Sequence, residues 1–141
     1  MGKGEMSGYR PSEQEPYMHP RQLAFFQERL LRWRRMLQSE DYLSLQRLRR
    51  EKDRSSDPID QGVQESEQHF DFEQRCRNLK LLEQINAALE RIEEGTYGFC
   101  EESGEEIGLR RLVALPLARC SIEAQESIER AERFRRQNNL G

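Results

Sequence analysis

The chain has 141 residues, a formal net charge of −3 and a mean hydropathy of −1.00, with 35% hydrophobic and 35% charged residues. A chain this polar cannot fold entirely into one compact core. We therefore expect an extended part that faces water beside a small core. No run of about 18 apolar residues and no apolar leader is visible, which predicts a cytoplasmic protein without membrane contact. The sequence has no secretion signal and only three cysteines, Cys76, Cys100 and Cys120, which argues against a disulfide framework.

The charges are segregated along the chain. Residues 21–54 carry ten basic and five acidic side chains, whereas residues 57–106 carry four basic and fourteen acidic ones. A nucleic-acid binder usually concentrates positive charge without an equal acidic block beside it. We therefore expect no direct sequence-specific DNA binding, and blocks that lie against each other or against a charged partner.

Residues 1–16 are rich in Gly, Ser and Pro and predict a mobile N-terminal tail. A helix is predicted from Pro20, a suitable first-turn proline. Its apolar residues step by three and four, as in a coiled-coil seam, and the pattern continues more weakly through Leu45 and Leu48. The seam residues are Leu23, Phe26, Leu30, Trp33 and Leu37.

The stretch "DRSSDPIDQG", residues 53–62, predicts a turn because Asp-Pro disfavours helix and Ser and Gly62 reinforce the break. Asp60 is the expected cap of a second helix that ends at Gly95, a left-handed C-cap. Its clearest stripe contains Leu81, Ile85, Ala88 and Ile92. Two arms of similar length and opposite charge predict an antiparallel coiled-coil hairpin over residues 17–95, with its tip near 55–62.

Residues 96–122 predict a small non-helical module, followed by a C-terminal helix over 121–137 with Ser121 as its N-cap. We expect an apolar cluster to hold the module and four apolar side chains to dock the last helix onto it. The cluster comprises Tyr97, Phe99, Ile107, Leu109, Leu112, Leu115, Pro116 and Leu117, and the docking residues are Ile122, Ile128, Ala131 and Phe134. The predicted fold class is mostly α.

Three segments together resemble one family. They are the tip "DPIDQG", the arm "QRCRNLKLLEQINAALERIEEGTYGFC" and the following "GEEIGLRRLVALP", and the resemblance extends over residues 17–136. The chain resembles the DksA/TraR family of bacterial transcription factors. The resemblance implies a coiled coil that enters the secondary channel of RNA polymerase, with an acidic tip near the active centre and the remaining module at the outer rim. It implies control of open-complex stability and initiation as part of the stringent response.

The family's tip aspartates fall on Asp57 and Asp60. From the residues alone, the two are a turn residue and a helix cap; with the resemblance, we expect a functional acidic tip that perturbs neighbouring charges without catalysis. Gly62 replaces the alanine that is frequent in the family, and glycine disfavours a helix by about 1 kcal/mol.

The segment "YGFCEESG" resembles half of a four-cysteine zinc site. The family's four zinc positions fall on Cys100, Ser103, Ser121 and Ala124, of which only the first retains a zinc ligand. A shifted register would pair Cys100 with Cys120, but two thiols are half a site. We expect a degenerate zinc-finger-like module without zinc, held by packing and less sensitive to oxidation because it has no thiolate cluster to lose.

The family's nucleotide-contacting positions fall on Gln84, Leu115 and Gln125, where basic residues would be needed to hold guanosine tetraphosphate. The resemblance therefore implies weak or absent cooperation with that nucleotide.

Two other functions remain open at this point. A coiled-coil adaptor for a different partner would use the same hairpin, although exposed charge and a weakened seam favour a monomer inserted in a channel. An enzyme is disfavoured, because the sequence holds no Ser/His/Asp set, phosphate loop or His-Glu-x-x-His motif.

Overall fold

The structure is a computed structural model that describes residues 8–52 and 58–139, and within them every side chain except those of residues 51, 58–61, 63 and 64. Four helices follow one another along the described chain: α1 (Pro20–Lys52), α2 (Pro58–Glu94), α3 (Leu109–Ala114) and α4 (Ile122–Asn139). The described residues contain no strand, only one isolated antiparallel bridge between Phe99 and Glu106. The chain is mostly α, as predicted.

The chain divides into two compact units, and α1 and α2 each contribute to both. The first comprises Met1–Glu28 and Ala88–Gly141 and is called the module unit below; the second, Arg29–Ala87, is called the hairpin unit.

In the hairpin unit, side-chain contacts between the helices establish their antiparallel direction. Arg34 donates from Nη1 to Oδ1 of Asn86 at 3.0 Å, whereas further along α1 Asp41 accepts from Nε of Arg75 at 2.7 Å. The partner on α2 moves back along the sequence as the residue on α1 moves forward. This confirms the predicted hairpin of helices.

The seam of this hairpin is apolar at one end and polar toward the other. Leu30 and Leu37 on α1 and Ile85 on α2 are buried, as predicted. Seven residues after Leu37 on α1, and seven residues before Ile85 on α2, the buried residues are Ser44 and Asn78 instead. Isolated polar residues at seam positions lower stability but specify register. Polar seam residues therefore explain why the hydrophobic pattern weakens after Leu37.

The start of α2 differs from the prediction. The helix begins at Pro58, so Asp60 lies inside the first turn rather than at the cap, and Gly62 is helical rather than part of a turn. Proline is favourable in a first helical turn because its missing N–H has no acceptor there. The capping role expected of Asp60 is therefore wrong. Asp57 and the rest of residues 53–57 lie outside the described residues.

The module unit is built around the first turns of α1. Phe26 and Tyr97 are buried with their ring centroids 5.6 Å apart, and Leu112 and Gln22 are fully buried. Residues 8–16, assigned to a mobile tail by composition, pack here instead. The Tyr9 ring lies against Phe25 and under the guanidinium of Arg21, at 6.1 and 4.2 Å, and the Gln22 amide donates to the Ser12 carbonyl at 3.1 Å.

The segment between α2 and α4, residues 95–121, is called the knuckle below. It was predicted to be non-helical, but it contains the short helix α3. Tyr97, Ile107, Leu109 and Leu112 are buried as expected, whereas Phe99 and Leu115 are exposed. Gly95 has φ +80, and Thr96 N–H donates to the Arg91 carbonyl at 2.9 Å, which confirms the left-handed C-cap of α2.

The last helix does not dock as predicted. It contains no buried residue, and Ile122 and Phe134 are 51% and 64% exposed. The apolar residues expected to hold it are spaced too widely to form one continuous stripe, so most of its surface is charged and faces water.

Candidate functional site

The predicted acidic tip is described only in part. Asp60 lies in the first turn of α2, and Asp57 falls outside the described residues. Gly62 is an exposed helical residue with no atom within 4 Å of the position that a Cβ would occupy. The functional role of Asp57, Asp60 and Gly62 thus remains a prediction.

The knuckle folds around the thiol of Cys100. The Ser103 hydroxyl donates a hydrogen bond to the sulfur, as do the backbone N–H groups of Ser121, Ser103 and Glu102. The Ser103 oxygen in turn accepts from the Glu105 N–H at 3.4 Å. The Ser103 hydroxyl is the largest cause, and the amides add to it, so that the pKa of Cys100 falls from 9.0 to about 6 although burial opposes the shift. Hydrogen-bond donors thus converge on the sulfur where a metal-bound knuckle would have a cation.

Ser121 and Ala124 have structural roles at the start of α4. The Ser121 hydroxyl accepts from the Ala124 N–H at 3.2 Å, and its carbonyl accepts from Gln125 N–H at 2.9 Å. This is the N-cap that the sequence predicted. Ser121 is buried, and its backbone N–H donates to the Cys100 sulfur, which links the start of α4 to that thiol.

The donor set around Cys100 does not fit zinc. Structural zinc requires four ligands from Cys, His or carboxylate. Within residues 8–52 and 58–139, no three such side chains are grouped to hold a metal ion. The hydroxyls of Ser103 and Ser121 are engaged by the Cys100 sulfur and the Ala124 N–H. The four family zinc positions therefore form a hydrogen-bonded cluster and not a ligand set.

The knuckle brings Cys120 against Cys100. Both residues are buried, and the Cys100 side chain interacts with the Cys120 thiol. Burial is the main cause of the raised pKa of Cys120, and the neighbouring Cys100 adds to it. Two hydrogen bonds hold the backbone next to these cysteines. The Glu101 N–H donates to the Arg119 carbonyl at 2.9 Å, and Arg111 Nε donates to the Cys120 carbonyl at 3.0 Å.

The positions predicted to have lost nucleotide contacts are divided between the units. Gln84 belongs to the hairpin unit and is exposed. Leu115 and Gln125 belong to the module unit, where Leu115 is 53% exposed and Gln125 donates to Glu129 Oε1 at 3.2 Å. None of the three carries a positive charge. The expectation of weak cooperation with guanosine tetraphosphate stays a prediction.

Tyr17 positions the knuckle, although sequence reasoning did not single it out. Its hydroxyl donates to the Gly98 carbonyl and accepts from the Gly108 N–H at 3.0 Å. Gly98 has φ +91, and a Cβ there would lie 2.7 Å from Sδ of Met18. A residue 81 positions away in sequence cannot be linked to Gly98 by local periodicity.

No helix in the described part of the chain is long and apolar enough to span a membrane.

Residues 22–92 match the family described as "DnaK suppressor protein DksA, N-terminal domain", and residues 95–130 match "Prokaryotic dksA/traR C4-type zinc finger". The second match covers the knuckle and the first half of α4 and includes the four predicted zinc positions, of which only Cys100 is a cysteine.

Relatives named "RNA polymerase-binding transcription factor DksA" are similar over nearly the whole chain. The protein from Caulobacter vibrioides is 44% identical, over 94% of this chain and 93% of its own length, and that from Escherichia coli K12 is 34% identical over 91% and 87%. The solved structure of transcription factor DksA2 from Pseudomonas aeruginosa has a TM-score of 0.78 at 38% identity and covers 92% of this chain and 97% of its own. The chain belongs to the DksA/TraR family.

Proposed function

We propose that this chain is a transcription regulator that binds bacterial RNA polymerase in the secondary channel and alters the stability of promoter open complexes. The observation that carries the proposal is the 44% identity over 94% of the chain with a relative named for RNA polymerase binding. The similar region contains the helical hairpin, the knuckle and most of α4. It therefore favours RNA polymerase as the partner over the unknown partner of an unrelated coiled-coil adaptor.

The acting groups in this proposal are the carboxylates of Asp57 and Asp60. Two negative charges only three residues apart in the sequence change the local potential over about one Debye length, roughly 8 Å at physiological salt. Within a channel that holds cations and basic side chains, they would shift the balance between polymerase conformations without making or breaking a bond. The protein is accordingly proposed to have no enzymatic activity of its own.

The polar seam supports a hairpin that acts as a monomer. Ser44 and Asn78 are buried, and Asp41 and Arg75 form a half-buried ion pair between the arms. Arg75 donates to Asp41 at 2.7 Å and Asn78 donates to Glu40 at 3.4 Å, so these polar contacts are made within one chain and fix the register of its own two helices. We propose a cytoplasmic monomer that binds polymerase with the hairpin and exposed apolar residues of the module, such as Leu115 and Phe134.

We further propose that the protein acts without zinc and with little help from guanosine tetraphosphate. Support for the first comes from the side chains at the predicted zinc positions, because two are serines and one is an alanine, and the Ser103 hydroxyl donates to the Cys100 sulfur. Support for the second comes from the uncharged Gln84, Leu115 and Gln125, since a polyanion loses affinity where Lys and Arg are missing.

Binding to purified bacterial RNA polymerase tests the proposed partner. The full chain is expected to co-elute with the polymerase in size-exclusion chromatography. A matched variant would remove one heptad from each arm, residues 45–51 and 67–73, because these segments face each other in the observed antiparallel register. The shortened hairpin should remain helical by circular dichroism but bind more weakly. Failure of the full chain to bind would overturn the proposal.

A further inference from the structure

Residues 9–19, called the strap below, lead into α1 and join its start to the knuckle. The Tyr17 hydroxyl bonds to the Gly98 carbonyl and to the Gly108 N–H, which is 91 residues away in sequence. Beside it, Sδ of Met18 occupies the space that a Cβ of Gly98 would need. All of these residues belong to the module unit, and the proposed function does not use the strap.

One fully buried side chain on α1, that of Gln22, holds the strap closed. Its Nε2 donates to the Ser12 carbonyl at 3.1 Å, and its Oε1 accepts from the Met18 N–H at 2.9 Å. The Glu15 carboxylate is a further acceptor for the same side chain. Because water does not reach Gln22, an apolar residue in its place would leave the Met18 N–H without an acceptor in a dry site.

The backbone at Met18 is strained in the closed strap. Met18 has φ +55 and is the only residue other than glycine with a positive φ in the described part of the chain. A residue with a Cβ keeps this left-handed conformation only where its surroundings impose it. The hydrogen bond from Gln22 to its N–H is one such constraint. The closed strap therefore contains a strained residue that is free to relax once Gln22 no longer holds it.

The outer contacts of the strap lie at the surface. Arg110 Nε is 3.9 Å from Glu13 Oε1, and these side chains are 95% and 72% exposed, so the pair contributes little. The Arg21 guanidinium lies 4.2 Å from the centroid of the Tyr9 ring, at an exposed site where such a contact is also weak. We therefore expect the buried Gln22, and not these surface contacts, to decide whether the strap is closed.

A row of aromatic rings connects the strap to the knuckle a second time. Tyr9 contacts Phe25 at 6.1 Å between centroids, Phe25 contacts Phe26 at 5.3 Å, and Phe26 contacts Tyr97 at 5.6 Å. The Tyr97 hydroxyl then donates to the Pro116 carbonyl at 2.8 Å. None of these residues belongs to the hairpin unit. Opening of the strap would thus remove support from the knuckle without breaking the seam of the hairpin.

We propose that the strap is a conformational latch of the module unit. In its closed state Gln22 holds the strap on α1, and in its open state Met18 relaxes and Tyr17 releases the knuckle. Gln22 is the positioning residue of this latch. The open state is a local unfolding, since the hydrogen bonds that break all lie in the module unit. The latch lets the start of the chain determine how firmly the knuckle is held.

Native-state amide hydrogen exchange of the unaltered full chain in low urea tests the latch without any variant. The Met18 N–H is bonded to Gln22 and the Gly108 N–H to Tyr17. Both should exchange through one shared opening, with the same free energy and urea dependence, well below those of the Ile85 N–H in the hairpin. Separate openings for Met18 and Gly108, or exchange of Gly108 only together with Ile85, would overturn the proposal.

Gln22→Leu removes both hydrogen bonds of the latch at similar side-chain size. Exchange of the Met18 and Gly108 N–H groups should accelerate by about tenfold or more and by the same factor, although Gly108 is bonded to Tyr17 and not to Gln22. The Ile85 N–H should change by less than about twofold. Acceleration at Met18 alone, or an equal acceleration at Ile85, would overturn the coupled latch.

Gln38→Leu is the matched control, because it makes the same change at an exposed position of α1 in the hairpin unit. It should leave the exchange of the Met18 and Gly108 N–H groups as in the parent. If it accelerated them as much as Gln22→Leu does, the effect would not come from the latch, and the proposal would fail.

Tyr17→Phe tests the coupling from the other end. The Glu15 N–H donates to the Ser12 carbonyl at 3.1 Å and has no bond to Tyr17. Its exchange should also become faster, because the latch opens as one unit and coupling between two sites is reciprocal. An unchanged Glu15 N–H would contradict the single latch. These measurements do not involve polymerase, so their failure is distinct from failure of the proposed function.

Discussion

At the residue scale, the Tyr17 hydroxyl connects the start of the chain to the knuckle. It satisfies the Gly98 carbonyl and the Gly108 N–H, both in a part of the module where water has limited access. Tyr17→Phe keeps the ring and its edge-on contact with Phe99 but removes the acceptor of the Gly108 N–H, while the Gly98 carbonyl still accepts from the Ile107 N–H at 2.8 Å. We expect a loss of about 1–3 kcal/mol in the free energy of unfolding, measured by urea denaturation.

Tyr42→Phe is the control for this change. Tyr42 is 61% exposed and its hydroxyl accepts from Gln46, so water can replace the lost interaction. Its effect is expected to stay within about 0.5 kcal/mol. Equal effects of the two substitutions would show that Tyr17 does not hold the knuckle.

The metal content of the knuckle is also decided by single residues. Ser103 and Ser121 stand at two zinc positions, and both hydroxyls are engaged in hydrogen bonds. Protein that is purified under reducing conditions, incubated with zinc and then dialysed should retain far less than one zinc equivalent by atomic emission. A chelator should leave its thermal unfolding temperature unchanged. Stoichiometric zinc that resists dialysis would refute the metal-free knuckle.

At the element scale, the stability of the hairpin depends on the buried side of α2. Ile85 is fully buried, whereas Leu79, on the same helix, is 50% exposed. Ile85→Ala should lower the free energy of unfolding by about 2–5 kcal/mol, because it removes apolar contacts and leaves a cavity. Leu79→Ala should cost less than about 1 kcal/mol. Both free energies of unfolding are measured by urea denaturation. A larger loss in Leu79→Ala than in Ile85→Ala would contradict the observed seam.

The first turns of α2 are weakened by Gly62. No atom lies within 4 Å of a Cβ built there, so Gly62→Ala adds a better helix former without a clash. We expect about 1 kcal/mol of local stabilisation, seen as slower amide hydrogen exchange in the turns that follow. Gly98→Ala is the contrasting control, since its φ of +91 and the 2.7 Å approach to Met18 should make it destabilising. Faster exchange in Gly62→Ala would contradict the helical assignment.

Sequence periodicity predicted the elements where packing follows local spacing. Leu30 and Leu37 recur every seven residues on α1, so their burial and the antiparallel hairpin followed from the pattern. Ser44 and Asn78 could not be assigned to the seam, because polarity alone is more often a sign of exposure. The start of α2 was missed because Asp60 was assigned as the cap, whereas Pro58 already begins the helix.

At the scale of the whole molecule, the family resemblance carried what periodicity could not. It correctly linked the hairpin and the knuckle to one family, while its assignment of Cys100 as the one retained cysteine among four zinc positions stays a prediction. It did not predict that residues 8–16 pack on α1, since that depends on long-range contacts such as Tyr9 with Phe25. Nor did it predict that α4 has no buried residue, because apolar side chains in a charged helix do not indicate what they contact.

The central claim is that the carboxylates of the tip change the behaviour of polymerase after the protein has bound. The most direct test compares the parent with Asp57→Asn/Asp60→Asn for the lifetime of a short-lived promoter open complex, with polymerase binding measured in parallel. We predict that both proteins bind with similar affinity and that only the parent changes the lifetime, because the variant keeps the hairpin and removes two charges. A variant that binds and changes the open-complex lifetime as much as the parent would contradict the account.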